Sequence, residues 1–250
     1  MSEHPDEFLR KLEIEVEQGW ARIFSTRLLQ AIVGDAPVTR DLLKLYLIES
    51  YHYVKHNPQH QALAVWQKDV RDRTFMREAL KHALEEVDHD RLALRDLEKL
   101  GVPAASVERS VPLPETLGFT GFLYYWVTRE NPVGRLGYSL WAEGTQERAP
   151  AVVGKIKQKF DISQDSWLTF FVAHAQIDVR HGDECKANIR RFAVTPYDQW
   201  AVRTVALTTL KLFTNLLEAV YDRYEQVKNG APLILEGEPW PQQRGAFDRI

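Results

Sequence analysis

A single cysteine in 250 residues sets the first limit. Cys185 has no partner in its own chain, so no internal disulfide staples the fold, and a chain of this length can bury a core without one. Also missing is any run of the roughly 18 apolar residues that a membrane span requires. Even Val205–Val220 is interrupted by Thr, Lys, Asn and Glu. Neither sign of charge dominates: the net charge of −3 gives no electrostatic reason to expect nucleic acid or an anionic membrane as partner. The opening MSEHPDEFLRKL lacks the apolar heart of a signal peptide, so a cytoplasmic location is expected. Without repeats, low-complexity tracts or linkers, residues 1–250 read as a single domain with a polar tail from about 229.

Hydrophobic residues at 44% and charged residues at 27% describe an ordinary globular chain, and its apolar positions carry a helical period. Phe8, Leu12, Val16, Trp20, Ile23, Leu28 and Ile32 predict a first helix from Pro5 to about Val33, ended by Gly34. Thr39 caps a second that runs through Val54, breaks near Asn57-Pro58 and continues to about Trp66. A third runs from Asp72 or Thr74 to Leu100, where Gly101 and Pro103 stop it. Phe119–Thr128 forms a fourth, and a fifth begins at Val133 and bends at Pro150 towards Phe160. Ser163 or Asp165 caps a sixth reaching Arg190, and the last spans Tyr197 to Val227. Only Leu233–Leu235 hints at a strand. The expected fold is an all-α bundle of about seven helices.

Three groups of residues on this scaffold can do chemistry. In HxxxDxxH, His174, Asp178 and His181 stand at i, i+4 and i+7 and project from one helical face as convergent ligands. Glu86 and His89 form an ExxH pair, the spacing at which carboxylate and imidazole meet on one ion in helical bundles. Glu85 and His82 are reserve ligands on the same helix, and a solvated helix face is the plainer reading of all four. Glu143, set between Trp141-Ala142 and Gly144, is a carboxylate that must be paired, protonated or metal-bound if buried. Three imidazoles and three carboxylates on three helices make the donor inventory of two iron or manganese ions, since zinc more often takes four ligands and sulfur.

These residues resemble the haem-oxygenase-like di-iron oxidases and oxygenases, relatives of TenA-type thiaminases and pyrroloquinoline-quinone synthase. Val38-Thr39-Arg40-Asp41, Tyr51-His52-Tyr53, Asp88-His89-Asp90 and Asp178-Val179-Arg180-His181-Gly182 are similar, in the same order, to segments of the synthase. The metal-free synthase lacks a histidine seven residues before the last of its motif, so His174 favours the metal-binding branch. A TenA-type thiaminase needs a nucleophilic cysteine that Cys185 does not supply. The tyrosine that the para-aminobenzoate synthase branch uses in its first helix has no counterpart before Tyr46.

The resemblance implies a haem-oxygenase-like bundle in which two iron ions (Fe2+, with Mn as alternative) activate O2 to oxidise a small molecule, with an external electron donor and a homodimer as family options. Tyr51, Tyr53, Trp141 and Lys211 are the residues expected to contact substrate. Lys211 interrupts an apolar run, so it either reaches the surface or points into the pocket. Arg180, Lys155 and Lys157 read as solvated. An amino-acid-derived substrate is preferred to a fatty acid, because no aliphatic channel signature stands out. The competing readings are a metal-independent enzyme using His89 and His181 as acid and base, and a helical interaction protein without turnover.

Overall fold

The structure, a computed structural model, describes residues 3–66, 72–145, 148–176 and 179–236, with side chains described throughout these except at Asp165 and residues 174–180. The described residues form thirteen α-helices and two short 3-10 turns, so the all-α class holds while the expected long helices are subdivided. Helix α1 (Pro5–Phe24) starts on a proline with Asp6 and Glu7 in its first turn, and it buries Phe8, Leu9, Leu12, Val16, Trp20 and Ile23. It does not run on to Val33. Thr26 donates to the Ile23 carbonyl at 2.7 Å and accepts from the Leu29 amide, which closes α1 and caps α2 (Arg27–Val33).

Helices α3 (Arg40–Val54) and α4 (Asn57–Leu63) flank the expected break, with Asn57-Pro58 opening α4. The predicted third helix is also two, α5 (Arg73–Glu85) and α6 (His89–Lys99). No glycine or proline marks the break. Asp88 adopts the left-handed conformation, φ 72°, which aspartate tolerates better than most residues.

After α7 (Ala104–Glu108), α8 (Pro114–Arg129) ends before Asn131, and a 3-10 turn at Pro132–Gly134 leads into α9 (Arg135–Glu143). Next come α10 (Ala149–Phe160), α11 (Thr169–Gln176), α12 (Val179–Phe192) and α13 (Pro196–Lys228). Within the predicted sixth helix, α11 and α12 are the described parts, and residues 177 and 178 between them lie outside the described residues. Its cap is neither Ser163 nor Asp165. The buried Asp96 of α6 accepts from the amides of Thr169 and Phe170, each at 2.8 Å, and from Thr169 Oγ1 at 2.6 Å. Glu49 of α3, also buried, does the same for α8, accepting from the Leu113 amide at 3.1 Å and Thr116 Oγ1 at 2.5 Å. Burial pushes the Glu49 carboxyl up to about 7 against these hydrogen bonds.

At 33 residues, α13 is about 50 Å long and packs against α1, α3, α8 and α9. Its approach to α9 depends on Gly137, where a β-carbon would stand 2.1 Å from the Val202 carbonyl oxygen. The strand hint at Leu233–Leu235 becomes one isolated bridge between Ser110 and Glu236, with the Val111 amide donating to the Leu235 carbonyl at 2.8 Å. Among the described residues no helix is long and apolar enough to cross a membrane.

Candidate metal centre

The break at Asp88 determines how the ligands meet. His82 lies in the last turn of α5, Glu86 caps its end and His89 opens α6, so the three side chains converge across a turn instead of along one helix face. Glu143 ends α9 and His181 sits in the first turn of α12. His82 Nε2 is 3.2 Å from one oxygen of Glu143 and 3.5 Å from one oxygen of Glu86. The second Glu86 oxygen is 3.4 Å from His89 Nδ1, and the second Glu143 oxygen is 3.9 Å from His181 Nδ1. His181 Nε2 reaches Glu85 at 3.6 Å. Acid and imidazole therefore alternate through six side chains: His89, Glu86, His82, Glu143, His181, Glu85.

One donor atom each from His82, Glu86 and Glu143 lies within 4.8 Å of the others. Ligands held about 2.0–2.2 Å from a shared ion are spaced this way, and a set of oxygens and imidazole nitrogens without sulfur suits iron or manganese. The residues present thus fit a metal. His82, Glu86 and His89 also shift one another's protonation. Burial disfavours the His82 imidazolium, yet Glu143 and Glu86 outweigh it and hold the group up at about 9. Burial would likewise raise Glu86, but His82 and His89 keep its carboxylate well below the usual range, and the Glu86 partner raises His89 against burial.

The structure thus brings together Glu86, His89, Glu143 and His181 of the expected ligands, together with both reserves. His82 occupies the middle of the array. His174 and Asp178 lie outside the residues whose side chains are described.

Several supporting residues are not apparent from sequence periodicity. Asn57 donates from its amide to Glu86 at 3.1 Å and accepts from the Tyr138 hydroxyl at 3.2 Å, fixing the carboxylate from the side away from His82. Arg135 is buried, donates to His60 Nδ1 at 3.1 Å and Ser139 Oγ at 2.6 Å, and lies over the Tyr138 ring at 4.4 Å. Burial lowers its pKa, while Glu86 and Glu143 oppose that, so Arg135 is the fixed cation behind the carboxylate pair. A signal existed: Arg135, Ser139 and Glu143 recur every four residues along α9.

A cavity of about 160 Å³, comparable with cavities that accept a benzene-sized guest, opens beside His82, Glu86, His89 and Glu143. The rest of its wall is mostly apolar, formed by Leu28, Leu29 and Ile32 of α2, Ile156 of α10, Phe170 and Phe171 of α11, and Phe213 and Leu217 of α13, with Asn57, Arg135, Ser139, Thr145 and Arg148 as its further polar members. Tyr53 and Trp141, two of the residues expected to contact substrate, line it. Two expected substrate contacts do not: Tyr51 packs against His52 with the Lys55 ammonium 4.7 Å above its ring, and Lys211 is exposed on the outer face of α13.

Residues 44–214 match the family described as iron-containing redox enzymes, more than half of the chain. The chain belongs to that family. A solved structure from Shewanella denitrificans, titled a domain of unknown function with a haem-oxygenase-like fold, is 31% identical. The match covers 90% of this chain and 97% of that one, with a TM-score of 0.85. A TenA homologue from Pseudomonas syringae (15% identity, 86% and 93% coverage, TM-score 0.72) shares the fold. So does one from P. horikoshii (15%, 86% and 98%, 0.65). No curated protein matches the chain in sequence. Membership supports an iron-containing oxidoreductase, and within the haem-oxygenase-like bundle the alternating acid–imidazole array gathers side chains that could hold a metal.

Proposed function

We propose that this iron-containing redox enzyme is a di-iron oxidase or oxygenase that uses O2 to oxidise a small molecule with an apolar body. The carrying observation is the array itself, half-buried at the end of a mostly apolar cavity. His82, Glu86, His89 and Glu143 would hold one ion; Glu143, His181 and Glu85 would hold the second, with His174 and Asp178 as further expected donors. Bound iron supplies O2 activation and electron transfer, which no side chain here provides. The protein's own part is positioning. Asn57, itself held by Tyr138, fixes Glu86, and Arg135 offsets the charge of two neighbouring carboxylates.

The cavity wall supports an apolar substrate in place of the amino-acid-derived one expected from the sequence. Burying an aliphatic chain or ring there removes it from water at about 25 cal/mol per Å². Tyr53 and Trp141 shape the wall near the centre. Anaerobic addition of Fe(II) followed by metal analysis tests the reading: about two Fe per chain are expected, falling in Glu143→Ala. A wild-type chain that retains no iron under those conditions would overturn it.

A further inference from the structure

A second, smaller cavity of about 40 Å³ lies between α5, α9 and α12. His82, Arg135 and Ser139 line both cavities and so form the partition between them. The two differ in chemistry. The polar lining of the smaller one includes Gln61, Lys81, Glu85, His181, Glu184 and Asn188. Its inner end presents His181 and Glu85, the far members of the array; its outer end is the partly exposed Lys81–Glu184 pair, closed at 2.7 Å.

Two observations indicate what this space carries. Gln61 is 3% exposed, and its buried side-chain oxygen has no hydrogen-bond partner. A buried acceptor of this kind costs about 1–3 kcal/mol unless water or a cation meets it. The cavity has room, since a water needs only some 10–15 Å³ of such volume. Secondly, the Lys81 ammonium already sits as a cation between carboxylates, 2.7 Å from Glu184 and 3.9 Å from Glu85. Passage through the apolar cavity would strip a divalent ion of its hydration without replacement.

We propose that the polar cavity is the route by which divalent cations, part of their hydration exchanged for its oxygens, reach and leave the centre, with Lys81 as a displaceable plug and Glu184 and Gln61 as successive oxygen partners along the way. Metal and organic substrate then approach the array from opposite sides of the His82–Arg135–Ser139 partition. The inference rests on the metal-binding reading above.

Stopped-flow mixing of the metal-free full chain with Co(II), followed by ligand-field absorption, tests it. Glu184→Gln, a partly exposed substitution that keeps the fold, is expected to slow uptake about tenfold and flatten its salt dependence, with the final Co(II) content unchanged. Lys81→Ala is expected to speed both uptake and removal by chelator, and Asn188→Phe, which fills the cavity, to slow both. Val152→Phe, which narrows the apolar cavity, should leave the uptake rate as it is. Wild-type uptake rates in both Glu184→Gln and Asn188→Phe, at full Co(II) content, would overturn the route while leaving the centre standing. Absence of Co(II) binding in every protein, wild type included, would overturn both.

Discussion

Replacing Asn57 with alanine is expected to weaken metal binding without touching a metal ligand. Asn57 donates to Glu86 at 3.1 Å, a hydrogen bond to an ionised acceptor, and such bonds contribute about 1.5–3 kcal/mol. If Glu86 loses that restraint, the cost falls on the ion it should hold; at about 1.4 kcal/mol per tenfold, affinity drops by about 10- to 100-fold. Tyr138→Phe removes only the neutral hydrogen bond behind Asn57, 3.2 Å long, so about 1 kcal/mol or a fivefold loss follows. The double variant should be no worse than Asn57→Ala, because Tyr138 acts through Asn57. The assay is a competition titration of Co(II) against a chromophoric chelator, with circular dichroism to confirm the fold. Additive losses in the double variant would refute the relay, and unchanged affinity in Asn57→Ala would refute its role in holding Glu86.

Glu49 makes stability depend on pH. Its folded value, about 7, lies above the ordinary 4.5, so the contribution is complete below about pH 4.5 and is lost as pH rises through 7; the difference is about 3 kcal/mol. Urea unfolding of Glu49→Gln should show a flatter profile across that window, and an unchanged slope would count against a neutral buried Glu49. Asp96→Ala leaves the first amides of α11 without their acceptor and should cost about 2 kcal/mol in urea unfolding, with Asp96→Asn costing about half. Gly137→Ala forces α9 away from α13 and should lower stability by about 1–3 kcal/mol; a neutral result would mean that the helices can separate freely.

The helical class and most outer helix limits were legible because apolar spacing reports burial directly: α3, α8 and α13 begin and end within a few residues of their predicted bounds, except that α8 starts at Pro114 ahead of Phe119. The internal breaks were not. Thr26 and Asp88 interrupt long periodic stretches without glycine or proline, through a side-chain hydrogen bond and a left-handed residue. Capping by Glu49 and Asp96 was invisible for another reason. Each acts on a helix start more than 60 positions away, so no local pattern records it. The ExxH pair was found for a reason only half right, since Glu86 and His89 meet across a turn, where their spacing along one helix was the expectation. Arg135 and Asn57 escaped notice because their roles appear only when α4, α5 and α9 are brought together. The apolar cavity draws its wall from several helices far apart in the chain, which leaves no run in the sequence.

The left-handed Asp88 has a consequence for how such a centre can vary. His82 and His89 belong to separate rigid rods, and the distance between them is governed by a single elbow whose geometry depends on one backbone dihedral. Asparagine or glycine at position 88 would hold that elbow with less strain, and a β-branched residue would tend to straighten it. The span between donors can thus be retuned from a position that supplies no donor, leaving every donor side chain in place.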